Sequence, residues 1–282
     1  MNAHPLLKIL ALVLLAFAAT GCVMRPNSGV LKPLELPTQN QTVEILVATN
    51  RSAAANGGFT TERAGMSFER FVISTPGIAR PGEVAYPSRR PDPMREFLVV
   101  EREALDRNRF LSLVGSNRST QEPVGLFVHG YNQSYQEALF RLAQVGTDSN
   151  MKAPMVLFAW PSAADLFGYV ADRNAVLSSR NDLTELISDL AITRPDQDLV
   201  VFGHSMGAFA LMESARELRL AGKEGVLDRL SIALAAPDID VDVFNEQLTA
   251  IGRLRNSITV LISRQDHALK ASSVECHRDL TR

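Results

Sequence analysis

Cysteine is scarce: Cys22 and Cys276 are the only two in 282 residues. A single pair cannot build a disulfide scaffold, and no CxxC or His/Cys cluster offers metal-ligand spacing. Stability must therefore come from a packed core, and no metal or other cofactor is expected. Long runs of one charge are lacking as well. The 29 basic and 31 acidic residues leave a formal charge of −2 and are dispersed along the chain. That distribution carries no electrostatic footprint for nucleic acid, which is excluded as a partner. No apolar run is long enough to cross a bilayer. What the chain does have is 46% apolar residues, enough for one sizeable domain with a buried core.

Lys8 precedes "ILALVLLAFAATGC", whose apolar part of about eleven residues fits the hydrophobic region of a signal peptide. Ala19, Thr20 and Gly21 lead directly into Cys22, and this resembles the lipobox of bacterial lipoproteins. The resemblance implies removal of residues 1–21, acylation of Cys22 and attachment to a membrane through that lipid, facing the periplasm. Val23 follows the cysteine, which by analogy with such lipoproteins favours the outer membrane. Residues 22–41, with Pro26, Pro33 and Pro37 among polar residues, read as the lipidated N-terminus and a tether; residues 42–282 read as the domain.

Period-two alternation in "TVEILVATNR", "SFERFVIST" and "EFLVVERE" predicts three early strands, partly antiparallel. The four prolines of "IARPGEVAYPSRRPDP" place an extended loop between them. From about residue 123 short apolar strands alternate with helical segments. "PVGLFVHG" is followed by a helix from an N-cap at Ser134 to Gly146, "MVLFAWPS" by a helix over about 172–191, and "DLVVFGHS" by one over 206–221. "RLSIALAAPD" leads to a helix from about 240, and "SITVLISRQD" ends the series. This grammar predicts an α/β fold: a doubly wound, mostly parallel sheet with helices on both faces and its active site at the carboxyl ends of the strands. Trp160, Phe167 and Tyr169 read as core residues. Residues 165–176 either cap the site or merely connect strand to helix.

"GHSMG" sets Ser205 between Gly203 and Gly207 where an apolar strand meets a helix, the context of a nucleophile elbow. Acyl transfer also needs N–H groups aimed at the developing oxyanion. Met206, first in the helix, supplies one candidate; Tyr131, after the strand-ending His129–Gly130, supplies the other.

"VHGYN", "FAWPS", "GYVADRNAV", "GHSMGA", "AAPDID" and "SRQDHAL" resemble the α/β-hydrolase superfamily, and within it a bacterial esterase/lipase-like group of ill-defined substrate. "VATNR" and "RPGEVAYP" extend the resemblance, which covers about residues 43 to 270. It implies a Ser-Asp-His hydrolase with Ser205 as nucleophile, Asp266 favoured over Asp238 as the acid, and a small-molecule or lipid ester as substrate. Either aspartate also reads as a helix N-cap.

The histidine is harder to find. His204 adjoins the nucleophile in an extended strand, His129 reads as a loop-orienting residue, and His267 adjoins Asp266. His277 has the right order, but eleven helical residues carry it roughly 16 Å from the catalytic edge. The ending "VECHRDLTR" departs from the family pattern, so a missing final strand and an incomplete triad are expected. Two readings follow: a lipid-anchored serine ester hydrolase impaired by loss of its base, or a non-catalytic binding lipoprotein on the same scaffold.

Overall fold

The computed structural model describes residues 25–35, 40–78, 80–116, 123–149 and 155–262. The leader, Cys22, Asp266, His267, Cys276, His277 and the expected loss of a final strand all fall outside the described residues. Among those residues no helix is long and apolar enough to cross a membrane.

Eight strands form one sheet: β1 (Thr42–Ala53), β2 (Phe59–Ser74), β3 (Leu98–Leu105), β4 (Val124–Val128), β5 (Met155–Ala159), β6 (Leu199–His204), β7 (Leu230–Ala235) and β8 (Thr259–Leu261). Their spatial order is β3-β2-β1-β5-β4-β6-β7-β8. β1, β2 and β3 pair antiparallel, and every pairing from β1 through β5, β4, β6 and β7 to β8 is parallel. All five residues of β5 are buried, as expected of a parallel strand covered on both faces.

Helices α1 (Arg107–Ser116), α2 (Tyr135–Ser149), α3 (Tyr169–Ser178), α4 (Arg180–Thr193), α5 (Met206–Leu220), α6 (Glu224–Leu227) and α7 (Val241–Ile251) cover both faces. One core packs α1 and α3 to α7 against the sheet. The other packs α2, Phe97 and Leu31 against the opposite face.

The expected helices form with identifiable signals. Ser134 and Glu137 make a reciprocal capping box at α2: the Ser134 N–H donates to the Glu137 carboxylate at 2.8 Å and the Glu137 N–H to Ser134 Oγ at 3.3 Å. Three details differ from the sequence pattern. The predicted helix 172–191 starts at Tyr169 and divides at Ser179, whose hydroxyl bonds back to the Ala175 carbonyl and breaks the regular ladder. Helix α1 was not anticipated, although the Asp106 carboxylate accepts the Arg109 N–H as an N-cap would and Phe110 and Val114 lie one turn apart in the core. Finally, part of the expected tether is lashed to the domain. Leu31 is fully buried, and the Leu34 N–H donates to the Val99 carbonyl of β3 at 2.9 Å.

Candidate active site

Strand order reverses between β4 and β6. The chain moves from β4 outward to β5 on one side, then crosses to β6 and onward to β7 on the other. A crevice opens at the carboxyl ends of strands where winding reverses. Ser205 follows β6 there, and His129 and Gly130 follow β4.

Ser205 has φ 52° and ψ −120°, a left-handed conformation that is strained for a residue with a Cβ. It is not alone: Asn132 after β4, Ala164 after β5 and Ala236 after β7 also have positive φ. These four are the non-glycine positive-φ residues among the described ones, and each follows one of four adjacent parallel strands at the carboxyl edge. Strain of this kind persists only where surrounding contacts over-determine it, and it gathers at functional sites.

The glycines explain how the elbow closes. A Cβ on Gly207 would sit 2.2 Å from the Val128 carbonyl oxygen and 2.5 Å from that of His129, and one on Gly203 would sit 2.7 Å from the Ala208 Cα and N. Helix α5 thus starts with its backbone against the end of β4. Gly130 completes the approach, since a Cβ there would lie 2.9 Å from the His204 carbonyl oxygen and 3.0 Å from Ser205 Cβ. The segment bearing Tyr131 therefore passes directly beside the serine. Among the described residues no acceptor takes the backbone N–H of Met206 or Tyr131. Gly207→Ala is expected to force β4 and α5 apart and to cost about 1–3 kcal/mol. For a domain of this size that is a melting-temperature loss of about 2–4 °C per kcal/mol, measurable by thermal denaturation.

The segment bearing Tyr131 is held from three sides. His129 is fully buried, stacks on Trp160 at 4.8 Å between ring centroids, and directs Nδ1 at the Gly130 carbonyl (2.9 Å) and Nε2 at the Trp160 carbonyl (3.1 Å). Trp160 Nε1–H returns a bond to the His129 carbonyl at 2.8 Å. Burial first, and the nearby Arg51 charge second, push the His129 pKa down to about 3, so the ring is neutral and takes no proton from Ser205. The loop-orienting role expected for His129 fits this geometry.

Asp172 is the second hold, and sequence reading assigned it none. Fully buried, its carboxylate accepts the Asn132 N–H (3.1 Å), the Ser162 hydroxyl (2.6 Å) and the Ala163 N–H (2.5 Å), tying the turns after β4 and β5 together. Arg51, at the end of β1, is the third. Its guanidinium donates to the Gln133 and Ser162 carbonyls at 3.1 Å each. Burial lowers its pKa to about 10 against the pull of Asp172, which leaves it charged at neutral pH. The only signal in the sequence was that Arg51 and Asp172 lie inside two of the segments quoted for the resemblance, "VATNR" and "GYVADRNAV".

Asp238, in the turn after β7, lies beside the elbow: its N–H donates to the Ser205 carbonyl at 3.3 Å. The half-buried carboxylate accepts the Tyr169 hydroxyl at 3.0 Å. The helix cap is not Asp238 but Asp240, whose side chain takes the Asp242 and Val243 N–H groups. His204 packs its ring against Gly130. Of the three aromatics read as core, Trp160 is buried, whereas Phe167 is 96% and Tyr169 43% exposed. The turn before α3 projects outward, so local apolarity misled there.

The family model of alpha/beta hydrolases of unknown function (DUF900) matches residues 110–282. The "Uncharacterized protein alr1448" of Nostoc sp. is 28% identical to this chain across 42% of it and 39% of that relative. The chain thus aligns with well under half of that relative. Among solved structures, esterase Est22 is similar with a TM-score of 0.29 and 16% identity, over 65% of this chain and 43% of that one.

Proposed function

Because the chain belongs to the DUF900 family of alpha/beta hydrolases, we propose that it is a serine hydrolase of carboxylic esters. The supporting observation is the elbow: Ser205 in a left-handed conformation, with backbone pressed against Gly203, Gly207 and Gly130 on every side. Ser205 Oγ attacks the ester carbonyl while a base takes its proton. The resulting oxyanion accepts hydrogen bonds from the Met206 and Tyr131 N–H groups, each worth about 3–4 kcal/mol in the transition state. The alcohol leaves with that proton, an acyl-enzyme remains on Ser205, and water deacylates it by the same steps.

Among the described residues the histidines are His129 and His204. The first is locked neutral between two carbonyls; the second adjoins the nucleophile in an extended strand. Neither is the base; His267 and His277 lie outside the described residues, and a chain without a base is an impaired hydrolase. Asp266 is the favoured acid and Asp238 the alternative. In a chain hydrolysing a short p-nitrophenyl ester, Asp266→Asn should lower kcat/KM more than Asp238→Asn, by roughly 10-fold or more, since only a base-orienting carboxylate fixes the tautomer. The reverse ranking moves the acid to the turn after β7.

The proposal extends to location: Cys22 is acylated and tethers the enzyme in the bacterial envelope, periplasm-facing, with the outer membrane favoured. A fluorophosphonate probe tests the chemistry. Labelling that vanishes in Ser205→Ala supports the enzyme; a folded chain that is never labelled supports the second reading, a lipid-anchored binding protein on a hydrolase scaffold.

A further inference from the structure

The turn between Ala164 and α3 carries Leu166 and Phe167, and the first turn of α3 carries Val170, at 73%, 96% and 71% exposure. Apolar side chains grouped this way beside a site mark a contact surface. The turn is also built rather than slack. The Asp165 carboxylate takes the Phe167 N–H at 3.0 Å, the Asp165 carbonyl takes the Gly168 N–H at 3.0 Å, and the Tyr131 hydroxyl lies 2.6 Å from the Leu166 carbonyl. Tyr131 thus joins the turn to the site: its N–H is the proposed oxyanion donor and its hydroxyl braces the apolar turn.

The N-terminal segment is fixed to the same place. Arg25 donates to the Ala164 carbonyl at 2.5 Å, and to the Asn132 carbonyl and side-chain oxygen at 3.1 and 2.6 Å. It also pairs with Glu137 at 3.6 Å. Gln136 Nε2 then donates to the Pro26 carbonyl at 2.6 Å, and Leu31 is buried beyond it. Cys22 stands three residues before Arg25, a reach of about 10 Å at full extension. A lipid on that cysteine would enter a bilayer beside the carboxyl edge of the sheet, not at the far end of a free tether.

We propose that the segment 166–170, the turn and the start of α3, docks into the lipid bilayer surface and holds the mouth of the Ser205 site against it, so that the ester substrate is drawn from the membrane. The orientation rests on the reading of Cys22 as acylated; the turn's own apolar surface does not.

The test uses the full chain purified from membranes and reconstituted in vesicles of phosphatidylethanolamine and phosphatidylglycerol containing dibrominated phosphatidylcholine. Phe167→Trp leaves the fold undisturbed, because the side chain is almost wholly exposed, and the native Trp160, fully buried, serves as the reference. Emission from position 167 should be quenched at least about twofold, as expected for insertion to headgroup depth, while that of Trp160 is unchanged. If Cys22→Ser abolishes both vesicle binding and quenching, the turn docks under the direction of the anchor, as proposed. Quenching in a chain that carries no lipid supports the docking and overturns only the acylation. A chain that stays lipid-anchored yet unquenched overturns the docking and leaves the acylation standing.

Discussion

Ser205→Ala should eliminate fluorophosphonate labelling and lower p-nitrophenyl ester hydrolysis by at least about 10³-fold, leaving the residual rate that oxyanion donors and binding alone support. A companion substitution separates chemistry from folding. Ser205 is held at φ 52°, where a Cβ costs on the order of 1–3 kcal/mol and glycine costs nothing comparable. Ser205→Gly should therefore be as inactive as Ser205→Ala but more stable than wild type by an amount of that order, read as a shift in urea midpoint. An inactive but destabilised glycine variant would mean that the elbow is not strained. A Ser205→Ala chain that still hydrolyses ester would remove the serine from the mechanism. Strain kept at the cost of stability is expected of a position selected for attack geometry, whereas a tight turn without chemistry would by default carry glycine.

The parts of this architecture that could be read from sequence are those encoded locally. Short apolar strands each followed by a helix imply parallel pairing, because a strand such as β5, covered on both faces, tolerates no polar alternation. Gly203 and Gly207 are equally legible, since only glycine permits the approach of β4 to α5. What escaped detection depends on distant partners. Asp172 looks like a surface helix residue until the turns holding Asn132 and Ala163 fold over it. Ala164 and Ala236 give no sign of positive φ, because the contacts that impose it come from other strands, whereas Asn132 is a residue type that tolerates it. Phe167 was misread for the converse reason: its apolar neighbours suggest burial, but the Asx turn at Asp165 throws it outward. Arg25 reads as part of a tether because nothing in its own neighbourhood reveals the two carbonyls that bind it.

Acid should destabilise this protein through His129 well before general carboxylate protonation. The folded pKa is pushed down to about 3 by burial and by Arg51, against about 6.5 in the unfolded chain. Above pH 6.5 both states bind no proton at this ring and its contribution is intact. As pH falls below 6.5 the unfolded state gains a proton that the folded state refuses, so stability declines by about 1.4 kcal/mol per pH unit until near pH 3. Across that window the loss is about 4–5 kcal/mol, a large share of a typical net stability of about 5–15 kcal/mol. His129→Asn isolates the effect. The neutral ring has one N–H and so donates to only one of the Gly130 and Trp160 carbonyls, as an amide can, but Asn gives up the stacking on Trp160 and leaves part of the ring's volume unfilled, so it should be less stable than wild type at pH 7.5 by about 1–3 kcal/mol. It has nothing to titrate, however, and the difference between the two urea midpoints should close as pH is lowered toward 5. Carboxylates and the remaining histidines contribute equally to both chains and cancel in that difference. Two curves that stay parallel from pH 8 to 5 would show that the ring between β4 and β5 accepts a proton in the folded state. Convergence would tie acid lability to the packing beside Ser205, since the same neutral ring that costs stability at low pH contacts the Gly130 segment that passes the serine.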